Sequence, residues 1–132
     1  MNKSIKTLWV AKLRSGEVEQ GEGFLGTDDG KRCCLGVLCD LAVEAGVIEA
    51  PTKEESLLND EPEVLVYGYD DVSLPSEVRD WAGLSDSIGT IYSGEYVNQS
   101  LPDLNDGYIN SFAKKRVQLN FEEIADVIEE VF

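Results

Sequence analysis

The stretch Arg32-Cys33-Cys34-Leu35-Gly36-Val37-Leu38-Cys39-Asp40-Leu41-Ala42 is the most apolar run in an otherwise acidic chain. Its apolar residues recur at helical spacing, and Gly46 stands where such a helix would end. We therefore predict a buried central helix over residues 33–46, against which the other elements pack. Asp40 lies inside this run, where a charge needs a partner; we predict Arg14, with a ligand contact as the alternative.

The same stretch holds all three cysteines, and the chain has no histidine. A structural zinc site needs four thiolate or imidazole ligands, so we expect neither a metal nor a cofactor. A reactive Cys33 is one interpretation, because Arg32 and a helix N-terminus could stabilise its thiolate. The favoured interpretation is that the thiols are buried and unreactive, since free cysteine packs as a small hydrophobe.

The length of 132 residues predicts a single domain over residues 1–132. Eleven basic residues against 26 acidic ones give a formal net charge of -15. Such a chain repels phosphate, so we expect no direct binding to nucleic acid or to an anionic membrane. The sequence shows no signal peptide and no apolar run of about 20 residues, which predicts a cytoplasmic protein.

Hydrophobic spacing and turn residues predict an α+β fold, a single compact domain with about four helices packed on a small antiparallel sheet. Besides the central helix, we predict four helices: one over 2–14, one capped by Ser73 or Ser76 and stopped by Gly83, a short one over 101–106, and a final one over 121–131 capped by Asn120. The predicted strands are 64–67 and a hairpin over 88–98 that turns at Ser93-Gly94. The predicted irregular parts are a segment over 17–27, a turn at 28–30, and a surface loop over 49–63 with one helical turn at 53–58.

The segment Gly21-Glu22-Gly23-Phe24-Leu25-Gly26 has the GxGxxG spacing of dinucleotide-binding loops. That loop needs a strand before it and a helix that begins within it. Here a helix precedes the segment and the Asp28-Asp29-Gly30 turn follows. We interpret the glycines as sites of close backbone packing or of a bulged strand.

Several polar and aromatic side chains have the chemistry to bind a small nucleotide-like ligand. Arginine can grip a phosphate, asparagine and glutamine can read a base edge, and aromatic rings can stack on it. The candidate ligand-binding residues are Trp9, Arg14, Gln20, Arg32, Asp40, Tyr92, Asn105 and Asp106. We expect their pocket between the first helix, the cysteine stretch and Leu104-Asn105-Asp106. The alternative is that Trp9 belongs to the core and that Asn105-Asp106 caps a turn.

Four different short motifs are spread along almost the whole chain: Leu13-Arg14-Ser15-Gly16-Glu17, the cysteine stretch, Leu104-Asn105-Asp106 and Phe121-Glu122-Glu123-Ile124-Ala125-Asp126. In this pattern the chain resembles a family of small phage and prophage proteins. The resemblance implies a phage-encoded accessory protein in the cytoplasm of a bacterial host, and it implies no particular activity. The chain departs from the pattern over Gly107–Leu119, a longer connection that contains Lys114-Lys115-Arg116.

Three functions from different classes fit these observations. The first is a counter-defence protein that is not an enzyme and that sequesters a nucleotide-derived host signal. The second is an acidic mimic of nucleic acid that inhibits a basic host protein, suggested by the net charge and the acidic last helix. The third is a small hydrolase that uses carboxylates such as Asp103 and Asp106. A homodimer is compatible with each of them.

Overall fold

The computed structural model describes residues 1–54 and 61–132. Within these residues the chain forms five helices and three two-stranded sheets, which confirms the predicted α+β fold. The helices are α1 (Lys3–Arg14), α2 (Cys34–Glu44), α3 (Ser76–Ala82), α4 (Leu101–Asp106) and α5 (Phe121–Val131). The strands are β1 (Glu19–Gln20), β2 (Lys31–Arg32), β3 (Thr52–Glu54), β4 (Val64–Val66), β5 (Tyr108–Asn110) and β6 (Lys115–Val117). The strands pair as β1 with β2 in parallel, and as β3 with β4 and β5 with β6 in antiparallel, rather than as one sheet.

Helix α2 is the centre of the domain, as the apolar run predicts. Most of its side chains are buried, and α1, α3 and α4 pack around it. Its first turn begins at Cys33, whose Sγ accepts a hydrogen bond from the amide of Gly36. The backbone of Leu25 crosses the helix at Gly36, so close that a Cβ there would lie 1.8 Å from the Leu25 carbonyl oxygen. Glycine at this position lets the loop reach the helix.

Helices α1 and α5 pack side by side; α5 begins at the predicted cap, Asn120, and α1 begins at Asn2, a cap that was not predicted from the sequence. The Asn2 side chain accepts from the amide of Ile5 at 3.1 Å. Asn120 and Glu123 form a reciprocal capping box at the start of α5. The interhelical ion pair is made by Arg14, whose Nη2 lies 2.6 Å from Asp126 Oδ1 and 3.0 Å from Glu129 Oε2. The prediction that Arg14 pairs with Asp40 is therefore wrong.

Two local predictions between α2 and α4 need correction. Neither Ser73 nor Ser76 caps α3: the residue before the helix is Pro75, which makes no side-chain cap bond, although Gly83 ends the helix as expected. The hairpin predicted over 88–98 does not form. Asn98 adopts a left-handed conformation with a φ of 72°, which turns the chain where an extended strand was predicted.

A hairpin forms instead over Tyr108–Val117, in the connection between α4 and α5. The Asn110 side chain accepts from the amides of Phe112 and Ala113, both at 3.0 Å, and so fixes the turn. Lys114 takes a left-handed φ of 52° before β6 begins. The sequence prediction missed this hairpin because the segment lacks the Asn-Gly or Asp-Gly dipeptide of common tight turns.

The helical turn predicted at 53–58 falls largely on residues 55–60, which lie outside the described residues. Thr52–Glu54 form β3, so the beginning of that prediction is wrong. Among the residues that the structure describes, no helix is both long and apolar enough to cross a membrane.

Candidate functional site

A cavity of about 880 Å³ opens on one side of the β1–β2 pair. Its walls come from the glycine-rich segment that follows β1, from β2, and from β3, β4 and their flanks. The lining residues are Gln20, Gly21, Glu22, Phe24, Gly26, Thr27, Asp29, Lys31, Arg32, Glu54, Glu61, Pro62, Val64 and Asp71. A cavity of this size holds a small molecule or one extended side chain of a partner protein.

Close backbone approaches build the floor of the cavity. The amide of Gly21 donates to the carbonyl of Arg32 at 2.7 Å, and Gly26 bridges to Arg32 from the other side. A Cβ at Gly26 would lie 2.7 Å from Arg32 Cδ, and one at Gly21 would lie 3.0 Å from Lys31 Cβ. The interpretation as close-packing sites is therefore confirmed for Gly21 and Gly26 but not for Gly23, where an added Cβ would meet no atom within 4 Å.

Arg32 is held at the back of the cavity by a network that reaches the central helix. Its Nε donates to Asp40 Oδ2 at 2.8 Å, and its Nη1 donates to the carbonyl of Thr27 at 3.1 Å. The Tyr67 hydroxyl donates to the other carboxylate oxygen of Asp40 at 2.5 Å. Burial and this hydrogen bond raise the pKa of Tyr67 well above its usual value. Burial disfavours charge on Arg32, but the Asp40 carboxylate outweighs it and raises the pKa of Arg32.

The charge of the lining is mostly negative. Among the lining residues that the structure describes, five carboxylates face two cations: Glu22, Asp29, Glu54, Glu61 and Asp71 against Lys31 and Arg32. Among the described residues none of the five carboxylates forms a salt bridge, whereas Arg32 is already paired with Asp40. A concave surface lined by one sign of charge concentrates its field, so this cavity attracts cations.

Behind the cavity, Asn105 joins three parts of the chain. Its Oδ1 accepts from the amide of Cys34 at 3.2 Å and from Gln20 Nε2 at 3.1 Å. Its Nδ2 donates to the carbonyl of Gly21 and to Asp106 Oδ1, both at 2.8 Å. The Asn105 side chain has no exposed surface, so all of its bonds stabilise the fold rather than contact solvent or a ligand.

The structure brings together only part of the predicted ligand-binding set. Gln20 and Arg32 line the cavity, and Asp40 holds Arg32 from behind. Asp106 accepts a hydrogen bond from its neighbour Asn105. The turn-capping alternative is not supported, because the other bonds of the Asn105 side chain reach Gln20, Gly21 and Cys34 rather than a local turn. Tyr92 is 70% exposed and does not line the cavity; its hydroxyl lies 3.5 Å from Asp86 Oδ2.

Trp9 belongs to the core, which corrects its place among the candidate ligand-binding residues. The side chain has no exposed surface, and its Nε1 donates to the carbonyl of Cys34 at 2.9 Å. Core side chains thus fill the space between α1, α2 and α4 where we expected the pocket. Asp103 is likewise occupied locally, because its carboxylate accepts from the amide of Ser100 in the capping box that begins α4.

Sequence reasoning missed the cavity residues Phe24, Glu54, Glu61 and Asp71. The signal was present in the acidic stretch before β4, but the sequence does not show that this stretch faces the glycine-rich segment. That proximity depends on the bridge between Thr27 and Val64 and on the bond from the Leu25 amide to the Asp71 carbonyl.

All three cysteines are buried and unpaired with one another. Burial raises the pKa of the Cys33 thiol to about 11, and it raises the pKa values of Cys34 and Cys39 as well. A thiol with such a pKa is protonated at neutral pH and is a weak nucleophile. The arrangement supports structural cysteines. Among residues 1–54 and 61–132, no group of three His, Cys, Asp or Glu side chains is placed to hold a metal ion.

We expect the native protein to resist a thiol-reactive chromogenic disulfide reagent and to release the chromophore from three thiols after unfolding in guanidinium. The measurement is absorbance against time at mildly alkaline pH. A Cys33→Ser variant identifies the residue that reacts first. Rapid release from one thiol in the native protein would mean that Cys33 is accessible as a thiolate and that the burial argument is wrong.

The fold and the cavity define a small acidic α+β domain with a concave, mostly acidic cavity. The family described as "Domain of unknown function (DUF8296)" matches residues 1–132, and the chain belongs to this family. No curated protein and no solved structure matches the chain.

Proposed function

We propose that this protein acts by stoichiometric binding of a basic protein, whose nucleic-acid-binding surface it covers. The observation that carries the proposal is the lining of the cavity, whose described residues include five carboxylates and two cations. Nucleic-acid-binding proteins present clustered lysine and arginine to phosphates, and an acidic cavity offers those side chains the same charge. The resemblance to phage proteins makes a host protein the expected target, and we extend the proposal to a role against host defence.

The cavity is a better candidate for this contact than the acidic last helix. On α5, Asp126 and Glu129 are already paired with Arg14, and Glu123 is used in the capping box. By contrast, the cavity carboxylates Glu54, Glu61 and Asp71 have no salt-bridge partner among the described residues. An unpaired carboxylate gains more from an incoming cation than one whose charge is already balanced.

A second candidate function is capture of a nucleotide-derived signal molecule in the same cavity. The specific observation in its favour is size, since about 880 Å³ suits a nucleotide. Lys31, Gln20 and the half-exposed ring of Phe24 offer a cation, an amide and a stacking surface. The surplus of carboxylates opposes a phosphorylated ligand, so we rank this function second.

The experiment is a titration of the protein against a fluorescent arginine-rich peptide, followed by anisotropy. We expect binding at about 0.1 M salt that weakens by more than tenfold at about 1 M, because the screening length falls from about 10 Å to about 3 Å. A neutral peptide of the same length is the control. Absence of binding at low salt would contradict the proposal.

Parallel melting curves with a cyclic dinucleotide and with NAD test the second candidate. A nucleotide that binds the native state raises the melting temperature, and above Kd the shift grows with the logarithm of the nucleotide concentration. We expect unshifted curves. A clear upward shift together with no peptide binding would replace the first function with the second.

A further inference from the structure

The β5–β6 hairpin is a cationic projection on an acidic protein. No acidic residue lies between Gly107 and Leu119, and the segment holds three of the chain's 11 basic residues. The rest of the chain therefore carries eight basic residues against 26 acidic ones. The hairpin and the surface around it have opposite signs of charge.

The hairpin lysines are available to a partner. Lys114 and Lys115 are exposed and form no salt bridge among the described residues, whereas α1 uses Lys12 and Arg14 in ion pairs within the domain. Arg116 is tied down differently: its Nη2 donates to the carbonyl of Asp106 at 2.9 Å and so anchors the hairpin to the end of α4.

The tip of the hairpin presents apolar surface on a fixed turn. Phe112 is 99% exposed and Ile109 is 69% exposed. The Asn110 side chain holds the backbone amides of Phe112 and Ala113, so the tip is ordered before any partner arrives. An exposed aromatic residue on an ordered turn, next to unpaired cations, has the composition of an interface anchor.

We propose that the hairpin docks into the acidic cavity of a second copy of this chain. Phe112 would supply the apolar contact, and Lys114 and Lys115 would meet the unpaired carboxylates Glu54 and Glu61. Charge complementarity selects this occupant, since each copy carries both the cationic tip and the acidic cavity. A two-fold contact between hairpins would instead place lysine against lysine. The interface therefore joins the hairpin of one copy to the cavity of another, and an open assembly of this kind keeps one free tip and one free cavity at its ends.

The choice of the cavity as the docking site rests on the proposed function. Self-association through the hairpin does not rest on it. The test is sedimentation velocity over a range of protein concentrations at about 0.1 M salt. We expect the wild-type protein to associate as concentration rises. The double variant Phe112→Ser with Lys115→Glu should associate at least about tenfold more weakly, because it loses the aromatic ring that docking would bury and reverses a charge.

Tyr92→Ser is the matched control, since it removes another exposed aromatic ring away from both surfaces and should leave association unchanged. A second test mixes the hairpin variant with the cavity variant Glu54→Gln, Glu61→Gln, Asp71→Asn. Each variant lacks one half of a head-to-tail contact, so the mixture should form a one-to-one pair and nothing larger. Melting curves confirm that all the variants are folded.

A wild-type protein that stays monomeric at every concentration would overturn the inference, as would a hairpin variant that associates like the wild type. Association that survives in the cavity variant but is lost in the hairpin variant would overturn the docking site. Binding of the arginine-rich peptide by a strictly monomeric protein would leave the proposed function standing and refute self-docking alone.

Discussion

Gly36→Ala is expected to lower the free energy of unfolding by at least about 3 kcal/mol, because the added methyl group overlaps the backbone of the crossing loop. Its Cβ would lie 1.8 Å from the Leu25 carbonyl oxygen and 2.7 Å from the Leu25 carbonyl carbon. Neither atom belongs to a flexible side chain that can swing away. Relief requires separation of the loop from α2, which would also disturb the cavity floor. Chemical denaturation followed by circular dichroism measures the change.

Because Gly36 lies in a helix, the sign of the change in unfolding free energy distinguishes the close crossing from ordinary helix propensity. In a helix interior, alanine stabilises by about 1 kcal/mol relative to glycine when nothing obstructs it. Gly16→Ala is the control: Gly16 has a φ of +74° and no atom within 4 Å of the added Cβ, so it should cost about 1 kcal/mol from backbone strain alone. A Gly36→Ala protein as stable as the wild type would contradict the close crossing of loop and helix.

Asn105→Ala has the second largest expected effect, a loss of about 3 kcal/mol of unfolding free energy. The substitution leaves the buried amide of Cys34 and the carbonyl of Gly21 without their partner. Each unsatisfied buried group costs about 1–3 kcal/mol. For a chain of this length the melting temperature should fall by roughly 10 °C, which differential scanning calorimetry measures.

Gln118→Ala is the matched control for the loss of a side-chain amide. Gln118 is exposed and donates to the carbonyl of Asn105 at 3.1 Å, so its removal should cost less than about 1 kcal/mol. If the Asn105→Ala and Gln118→Ala variants have the same melting temperature, Asn105 does not join the glycine-rich segment to α2 in the way the hydrogen bonds indicate.

The helices could be predicted because their signals are local. The apolar spacing of Cys34–Glu44 and the capping side chain of Asn120 depend only on neighbouring residues, and the structure confirms both. The hairpins could not be predicted in this way. The left-handed φ of Asn98 removed the predicted hairpin, and the Asn110 side chain built one without a standard turn dipeptide.

Only part of the candidate site could be predicted from the sequence, because its residues are brought together by long-range contacts. Residue type singled out Gln20, Arg32 and Asn105, which the structure places in or behind the cavity. It did not distinguish roles: Arg32 faces the cavity while it pairs with Asp40, and Asn105 is wholly structural. The acidic residues around β3 and β4 were treated as a solvated loop, because nothing local placed them opposite the glycine-rich segment.

The proposed function requires that the cavity, rather than the net charge as a whole, binds the basic partner. The most direct test compares peptide affinity between two triple variants with equal loss of charge. One is Glu54→Gln, Glu61→Gln, Asp71→Asn in the cavity; the other is Glu77→Gln, Glu122→Gln, Glu130→Gln on exposed helix positions outside it.

We predict that the cavity variant binds the arginine-rich peptide at least about tenfold more weakly, since three lost contacts of about 0.5 kcal/mol each amount to that factor. The helix variant should stay within about threefold of the wild type at about 0.1 M salt, where distant charges are screened. Equal losses in both variants, or a larger loss in the helix variant, would contradict the account.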